Sequence, residues 1–373
     1  MTTAMAGRAG LRRYSRHLLI PEVGLAGQER LSRGRVLVVG AGGLGSPVLA
    51  YLAAAGVGRI IVIDDDTVDV TNLQRQILYD TSDVGASKAQ RAADRLRALN
   101  PQIAVDALPI RFDAANAREL VRLVDVVVDG SDTFATRYLV NDSCVLERKP
   151  DVHGSIFRFD GQVSVFGVPG SPCYRCLYPE PPPEHLVPSC SEGGVLGVLA
   201  GMVGSFQANE AIKLLLGIGT PLIGRLLLID ALEARVREFA LERDPACPLC
   251  GDAPSITEAG TIAERPTTGP EIAELDLDAY DAAIANGAIL LDVREPHERA
   301  LGEVPGAVAI PATSLEAHMH ELDTAKSYIV ACRVGAKSRW AMMRLHDAGF
   351  NRLLHLRGGL LAYAAQHDEF EVF

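Results

Sequence analysis

The sequence predicts an α/β protein: a doubly wound parallel sheet extended by antiparallel strands, then a second, smaller α/β domain. Two apolar runs, 35–40 (RVLVVG) and 59–64 (RIIVID), are typical of strands buried on both faces, and a glycine-rich turn and an Ala/Leu-rich helical stretch lie between them. Strand and helix patterns keep alternating as far as about residue 150, which favours a parallel sheet. The same alternation returns in the last hundred residues and predicts the second domain.

The other elements follow from periodicity and from start and stop residues. Helical periodicity over 85–100 ends before Pro101. From about Asp151 the pattern changes, and 157–168 (FRFDGQVSVFGV) predicts a hairpin around Asp160-Gly161 that adds antiparallel strands to the sheet. The first domain is further predicted to contain strands at 103–108, 124–129, 225–230 and 235–241 and helices at 114–123, 136–147 and 196–216.

A composition change separates the two domains. Residues 251–270 contain three prolines and few large apolar side chains, as is typical of a linker. We therefore predict a first domain over 10–252, a linker over 253–270 and a second domain over 271–373, with strands at 288–293 and 328–331.

Composition and charge exclude several classes of protein. With 36 Lys and Arg against 47 Asp and Glu, the net charge of −11 argues against a general nucleic-acid binder. The first ten residues lack the apolar core of a secretory signal, and the longest apolar stretch, 195–206, is too short to cross a bilayer. Seven cysteines then indicate metal binding or catalysis in a reducing compartment. We expect a cytoplasmic protein without nucleic-acid or membrane partners.

A glycine-rich loop is the first candidate binding site. Residues 40–45 (GAGGLG) satisfy G-x-G-x-x-G directly after a strand and before a helix, where backbone amides favour a phosphate. Asp64 ends the second strand, where a carboxylate can bind ribose hydroxyls. Alone, these features indicate NAD.

The residues that follow favour a triphosphate instead. Arg75 and Lys88 place cations beyond the ribose, and cations there suit a departing pyrophosphate better than a hydride channel. Asp132, in the segment 129–133 (DGSDT), follows a buried strand. Its carboxylate can hold Mg²⁺ against phosphate oxygens, while Ser131 or Asp132 can equally cap the next helix.

The cysteines divide into three groups. Cys173-x-x-Cys176 and Cys247-x-x-Cys250 have the spacing of two knuckles that share one structural Zn²⁺, and a redox pair is the competing interpretation. Cys144 lies in an apolar helical stretch and is interpreted as core packing. Cys190 and Cys332 remain, each in a loop before a predicted helix, where a thiol becomes more nucleophilic.

The runs GAGGLGSP, DDDTVDVTNLQRQ, GASKAQ and DGSDTFATRYLVND resemble the ubiquitin-activating-like adenylyltransferases that act on molybdopterin-synthase and thiamine-type sulfur carriers. The resemblance covers about 10–252 and implies a Rossmann-like adenylating domain that uses ATP and Mg²⁺. The N-terminal segment 12–17 (RRYSRH) is similar to a family element whose arginine enters the partner subunit's ATP site, which implies a homodimer and points to Arg16. The predicted ATP-binding residues are Gly40, Gly42, Gly43, Asp64, Asp66, Thr71, Asn72, Leu73, Gln74, Arg75, Lys88, Asp132 and Thr133.

Two cysteines take their roles from resemblance. Cys190 lies before GGVLG, like the family's mobile-loop cysteine, which bonds covalently to the carrier's C-terminus. The second domain, with LLDVREPHE, GEVPGAVAIP and ACRVGAKS, resembles a rhodanese domain, in which Cys332 would carry a persulfide. Tyr363 stands where that family commonly has tryptophan, and we expect this departure to affect packing only.

The two resemblances together predict one enzyme. It would adenylate the C-terminal Gly-Gly of a ubiquitin-like sulfur carrier and transfer sulfur to it, with thiosulfate or a cysteine desulfurase as donor and Arg16, Arg75, Cys190 and Cys332 as catalytic residues. An NAD-dependent oxidoreductase fused to a sulfurtransferase is the alternative, but it leaves Asn72, Arg75, Lys88 and the cysteine knuckles idle. A non-catalytic scaffold that only binds the carrier is a third possibility.

Overall fold

The computed structural model describes residues 8–181, 194–260, 273–300 and 302–366. These residues form two compact units, the first reaching as far as residue 260 and the second beginning at residue 273. Within the described ranges, no helix is long and apolar enough to cross a membrane.

An eight-stranded sheet forms the centre of the first unit. Its strands are β1 (Arg35–Val39), β2 (Arg59–Ile63), β3 (Ala104–Leu108), β4 (Val126–Asp129), β5 (Asp151–Phe157), β6 (Asp160–Phe166), β7 (Arg225–Asp230) and β8 (Arg235–Ala240). They lie in the order β3-β2-β1-β4-β5-β6-β7-β8. The first five in this order are parallel, and β6, β7 and β8 are antiparallel to their neighbours. The predicted doubly wound sheet with an antiparallel extension is confirmed.

Helices cover both faces of this sheet because alternate residues of the central strands point to opposite sides. Val36 and Val38 belong to one apolar core with α3, α4, α5 and α9, while Leu37 and Val39 belong to a second core with α6 and α7. The helices are α1 (Arg8–Arg13), α2 (Ser15–Leu18), α3 (Gly24–Leu31), α4 (Gly45–Ala55), α5 (Lys88–Leu99), α6 (Ala117–Arg122), α7 (Phe134–Glu147), α8 (Tyr174–Leu177) and α9 (Gly197–Leu216). Cys144 is fully buried in the second core, as predicted.

The hairpin of the antiparallel extension turns two residues earlier than predicted. Its turn is Arg158-Phe159, with Arg158 in the left-handed region at φ 52°, and Phe157 pairs with Asp160. The prediction of a turn at Asp160-Gly161 is wrong because both residues pair with β7 as well. Gly161 serves packing instead, since a Cβ there would lie 2.4 Å from a methyl carbon of Val203 on α9.

The second unit is a smaller parallel α/β sheet. Its strands β9 (Glu274–Leu275), β10 (Ile289–Asp292), β11 (Val308–Ala309), β12 (Tyr328–Ala331) and β13 (Leu353–Leu356) lie in the order β11-β10-β12-β13-β9. Its helices are α10 (Tyr280–Ala285), α11 (Pro296–Arg299), α12 (Leu315–His318), α13 (Ala336–Asp347) and α14 (Gly359–Ala364). Tyr363 packs edge-on against Tyr280 at 5.0 Å between ring centroids, in agreement with a packing role.

The first residues of the predicted linker pack against the first unit. Ile256 donates its backbone N–H to Pro248 and contacts the apolar cluster around the cysteine knuckles. The backbone N–H of Gly260 lies 3.2 Å from a carboxylate oxygen of Asp142 on α7. Residues 261–270, the remainder of that predicted linker, lie outside the described residues.

Candidate functional site

The glycine-rich loop joins β1 to α4 by a turn that only glycine fits. Gly40 has φ 90°, and a Cβ on it would lie 3.0 Å from the carbonyl oxygen of Gly130. A Cβ on Gly45 would lie 2.0 Å from the carbonyl oxygen of Gly40. The loop therefore closes against the start of the DGSDT segment, at the carboxyl edge of the sheet where ligands bind in such folds.

Asp64 and Tyr79 form hydrogen bonds with the backbone of this loop. Asp64 accepts the backbone N–H of Ala41 at 2.7 Å and that of Asp66 at 2.9 Å. Burial raises the pKa of Asp64 despite these hydrogen bonds and the nearby charge of Lys88. The buried hydroxyl of Tyr79 donates to the carbonyl of Ala41 at 2.8 Å. The sequence reading missed Tyr79, because nothing local links it to a loop 38 residues earlier.

Arg75, in the segment between β2 and α5, contacts the glycine loop, and Lys88 is the first residue of α5. The Cγ of Arg75 would lie 3.3 Å from a Cβ on Gly43, and its guanidinium donates to the carbonyl of Thr71 at 3.2 Å. Lys88 is almost fully buried and pairs with the exposed carboxylate of Asp66, with Nζ and Oδ2 2.9 Å apart. Arg75 thus packs against the glycine loop, and the charge of Lys88 lies near Asp64.

The segment that carries Arg75 begins with a short 3₁₀ turn at Val70–Asn72. Asp69 caps this turn by accepting the backbone N–H of Thr71 at 2.8 Å, while Asn72 accepts the backbone N–H of Asp69 at 3.3 Å. The backbone of Gln74 borders the start of α9, since a Cβ on Gly197 would lie 2.2 Å from its carbonyl oxygen. Leu73 packs against the core formed with α4 and α9. These contacts fix the backbone on both sides of Arg75.

The DGSDT segment is shaped by a buried carboxylate below it. Asp129 accepts the backbone N–H and the hydroxyl of Ser131 at 3.0 and 2.6 Å, and its other oxygen lies 3.2 Å from Nδ1 of His153. Thr133 caps α7 by accepting the N–H of Thr136 at 3.3 Å. The sequence suggested Ser131 or Asp132 as the cap of this helix, but in the structure Thr133 has that role. Asp132 is exposed and follows Gly130, which contacts the glycine loop, by two residues. Sequence reasoning missed the support from His153.

Of the other predicted catalytic residues, Arg16 lies away from this loop. Arg16 is exposed on α2, and the ring of nearby Tyr14 packs against Gly56, which follows the end of α4 remote from the glycine loop. Cys190 lies outside the described residues. Cys332 belongs to the second unit.

The four knuckle cysteines form one cluster at the edge of the first unit. All four Sγ atoms lie within 4.8 Å of one another, and three pairs are 3.9, 3.7 and 3.3 Å apart. A tetrahedral Zn²⁺ with Zn–S bonds of about 2.3 Å requires sulfurs roughly 3.8 Å apart, so the donors fit zinc. Hydrogen bonds, first from Cys173, lower the pKa of Cys250 to about 5, which already favours a thiolate there. The set Cys173, Cys176, Cys247 and Cys250 can therefore hold a structural zinc ion.

An ion pair links this cluster to α7. Arg175, between Cys173 and Cys176 in the chain, donates through Nε and Nη2 to the two carboxylate oxygens of Asp142, both at 2.8 Å. Both side chains are buried, and the guanidinium also lies over the ring of Tyr138. Because α7 begins directly after the DGSDT segment, one helix supports both sites.

Cys332 begins a loop that wraps its thiol in polar groups. The sulfur accepts the backbone N–H of Gly335 at 3.1 Å and lies 3.5 Å from the hydroxyl of Ser338. Helix α13 starts at Ala336, so its amino-terminal end faces the sulfur. Amide hydrogens and a helix terminus stabilise a thiolate or a persulfide anion.

Comparisons with known proteins agree with both units. Residues 14–249 match the model of the ThiF family, and residues 276–366 match the rhodanese-like domain. A Mycobacterium tuberculosis protein named as a probable adenylyltransferase/sulfurtransferase, MoeZ, is 44% identical over 374 residues, which cover 96% of this chain and 94% of that protein. A Thermus thermophilus sulfur carrier protein adenylyltransferase is 58% identical over 253 residues, covering 66% of this chain and 93% of that protein.

A solved structure of E. coli MccB shares the fold of the first unit, with a TM-score of 0.58 at 23% identity over 64% of this chain and 74% of that chain. Fold, site and comparisons define an adenylyltransferase joined to a rhodanese-type sulfurtransferase. The chain belongs to the ThiF family and carries a rhodanese-like domain after its adenylating domain.

Proposed function

We propose that this enzyme activates the C-terminal glycine of a small ubiquitin-like sulfur-carrier protein with ATP and then delivers sulfur from Cys332 to the activated carbonyl. One observation carries the proposal: a glycine loop packed against Arg75, with Lys88 near Asp64, and a thiol cradled by Gly335 and Ser338 lie on one chain. The first arrangement suits the departure of pyrophosphate, and the second suits a persulfide.

In the adenylation step, a carboxylate oxygen of the carrier attacks the α-phosphorus of ATP. The bond from that phosphorus to the leaving pyrophosphate breaks, and a carrier acyl-adenylate forms. Arg75 and Lys88 neutralise the charge that develops on the pyrophosphate, and Lys88 exchanges Asp66 for phosphate oxygens. The exposed carboxylate of Asp132 is the proposed Mg²⁺ ligand among the described residues, and the ion would shield the phosphates.

In the sulfur-transfer step, the Cys332 thiolate takes the outer sulfur of thiosulfate and releases sulfite, or takes the terminal persulfide sulfur of a cysteine desulfurase and releases that enzyme's cysteine thiolate. The terminal persulfide sulfur attacks the acyl carbon, and AMP leaves with the electron pair of the broken bond. The resulting acyl disulfide is resolved by the Cys190 thiolate, which releases the carrier thiocarboxylate and leaves a Cys190–Cys332 disulfide. A cellular dithiol reduces that disulfide. In the other order, Cys190 first takes the acyl group from AMP as a thioester.

The remaining assignments follow from this chemistry. The Cys190–Cys332 disulfide must be reduced to thiols after each turnover, which requires a reducing compartment such as the cytoplasm. Arg16 completes the active site of a second copy, so the working enzyme is a homodimer. A structural Zn²⁺ occupies the four-cysteine cluster, and elemental analysis of the purified protein should find one zinc per chain.

The proposal is tested by incubating the full chain with Mg-ATP, thiosulfate, a dithiol and candidate Gly-Gly carriers, followed by intact-mass analysis of each carrier. The expected mass gain equals one oxygen replaced by one sulfur. In Cys332→Ala, carrier-dependent exchange of pyrophosphate into ATP should persist while the mass gain disappears. Pyrophosphate exchange that no carrier stimulates would overturn the adenylation step, and a mass gain that survives in Cys332→Ala would overturn the sulfur assignment.

A further inference from the structure

A buried chain of polar side chains leads away from Cys332 to the far edge of the second sheet. Ser338, whose hydroxyl lies 3.5 Å from the Cys332 sulfur, is also 3.0 Å from Nε2 of His355 on β13. The other ring nitrogen, Nδ1, lies 3.3 Å from a carboxylate oxygen of Glu274 on β9. Neither His355 nor Glu274 has a part in the function proposed above.

The His355 ring is fixed in place behind the Cys332 loop. Only 1% of its surface is exposed, and its strand pairs with β12 directly before the nucleophile loop. A Cβ on Gly335 would lie 3.2 and 3.3 Å from Cε1 and Nε2 of the ring. A side chain at position 335 would therefore crowd the imidazole, so the loop and the ring fit each other closely.

The neighbours of Nε2 indicate that it carries a proton. Besides Ser338, the carbonyl oxygen of Gly335 lies 3.2 Å from Nε2, and a carbonyl can only accept. An unprotonated Nε2 would place its lone pair against a lone pair of that carbonyl oxygen. It would also accept the hydroxyl hydrogen of Ser338, which could then not be donated to the sulfur. With a proton on Nε2, the Ser338 hydroxyl is free to donate to Gly335, 2.8 Å away, or to the sulfur.

A carboxylate lies beside the other ring nitrogen, Nδ1. Burial alone would raise the pKa of Glu274, but His355, Arg339 and Arg357 lower it, so the carboxylate stays ionised beside Nδ1. Arg339 on α13 lies 2.7 Å and Arg357 lies 3.5 Å from the carboxylate oxygens of Glu274. Glu274 lies at one end of the chain of polar groups, and the sulfur of Cys332 lies at the other.

We propose that His355 is a positioning residue for the sulfur chemistry of Cys332. Placed between the Gly335 carbonyl and Ser338, its ring keeps a proton on Nε2, so that the Ser338 hydroxyl donates to the sulfur when the sulfur becomes an anion. The consequence for sulfur transfer rests on the proposed function, whereas the effect on the reactivity of the thiol does not.

The test is the pH dependence of Cys332 alkylation by iodoacetamide in the full chain, followed by mass spectrometry of the tryptic peptide 327–333 (SYIVACR). His355→Leu and Ser338→Ala should each raise the midpoint of the pH–alkylation curve by about one pH unit. Below the midpoint, the thiolate fraction of Cys332 would then be roughly tenfold smaller. The double variant should match either single one, since His355 acts through Ser338. His355→Gln, whose amide can still donate to Ser338, should keep the wild-type midpoint.

His318→Leu is the matched control, because His318 is an exposed histidine of the same unit and should leave the profile unchanged. A wild-type midpoint in His355→Leu, or additive shifts in the double variant, would overturn the proposal. If His355→Leu does not fold by circular dichroism, a raised midpoint in His355→Gln or an unshifted one in Ser338→Ala overturns it. Alkylation needs neither ATP nor carrier, so a carrier that gains no sulfur would count against the proposed function alone.

Discussion

Arg75 is the residue on which the proposed adenylation chemistry depends most. Its stem packs against the glycine loop, so its guanidinium can meet a phosphate chain bound there. Arg75→Ala should lower carrier-dependent exchange of labelled pyrophosphate into ATP by about 10²- to 10³-fold, because a charge-stabilising donor is lost. Arg59→Ala is the control, since Arg59 begins β2 at the opposite edge of the sheet and pairs with Asp106 on the surface. Exchange at the full rate in Arg75→Ala would show that this assignment is wrong.

Asp151 gives the stability of the first unit a pH dependence with a defined sign. It is 1% exposed, and burial together with the charge of Asp129 raises its pKa well above the usual range. The folded state therefore retains a proton that the unfolded chain releases above about pH 4, and stability falls as the pH rises from there. The free energy of unfolding of Asp151→Asn minus that of the wild type should therefore be more positive at pH 8 than at pH 5. Urea denaturation at the two pH values measures this difference.

Asp125→Asn should behave in the opposite way. Burial would raise the pKa of Asp125, but hydrogen bonds and the charge of Arg35 lower it overall. Its contribution is present above the unfolded pKa and is lost as the pH falls, so this variant should lose more stability at neutral than at acidic pH. An advantage of Asp151→Asn that does not change with pH would contradict the assignment of the proton.

Which site residues the sequence could predict depends on how local their signals are. The glycine loop, Arg75, Lys88 and the four cysteines lie in short motifs whose spacing already implies their chemistry. Tyr79, His153 and His355 act through partners 38, 24 and 17 residues away, so no spacing rule reveals them. Whether Asp132 or Thr133 caps α7 also depended on backbone geometry, because both residue types are good caps.

At the scale of elements, Gly161 shows how a strand and a helix limit each other. A Cβ on Gly161 would lie 2.4 Å from Val203, so Gly161→Ala should lower the free energy of unfolding by about 1–3 kcal/mol through overpacking. Gly201→Ala is the control. Gly201 lies on α9, like Val203, and the added carbon has nothing within 4 Å, so this substitution should be neutral or stabilising. Equal effects of the two substitutions in urea denaturation would contradict the packing role of Gly161.

Element prediction succeeded where the signal was local and failed where packing overruled it. The runs RVLVV and RIIVI predicted β1 and β2 because strands buried on both faces are continuously apolar. Asp-Gly is a strong turn signal, yet in β6 it lies inside a strand, since β7 pairs with it and α9 needs the missing side chain. The hairpin turn instead contains Arg158, which has a positive φ, although a residue with a side chain such as arginine rarely adopts one.

At the scale of the whole molecule, the position of Arg16 makes the proposed homodimer testable. Arg16 is exposed on α2, while Tyr14 anchors the segment at the end of α4 remote from the glycine loop. Arg16→Ala and Arg75→Ala should each abolish pyrophosphate exchange as pure proteins. When the two variants are co-expressed, or refolded together, half of the dimers should contain one chain of each kind. Each of these dimers has one intact site, so the mixture should recover about a quarter of the wild-type rate. No recovery in verified mixed dimers would contradict a site shared between subunits.

The Arg175–Asp142 pair has a consequence for how the enzyme ages. Oxidation of a knuckle cysteine would disturb the short helix that carries Arg175 and would leave the Asp142 carboxylate on α7 as an unmatched internal charge. Helix α7 begins directly after the DGSDT segment, so the same helix carries Asp142 and the residues that follow the proposed metal–nucleotide site. Oxidation of one cysteine in the cluster would therefore be expected to reduce adenylation as well as metal binding.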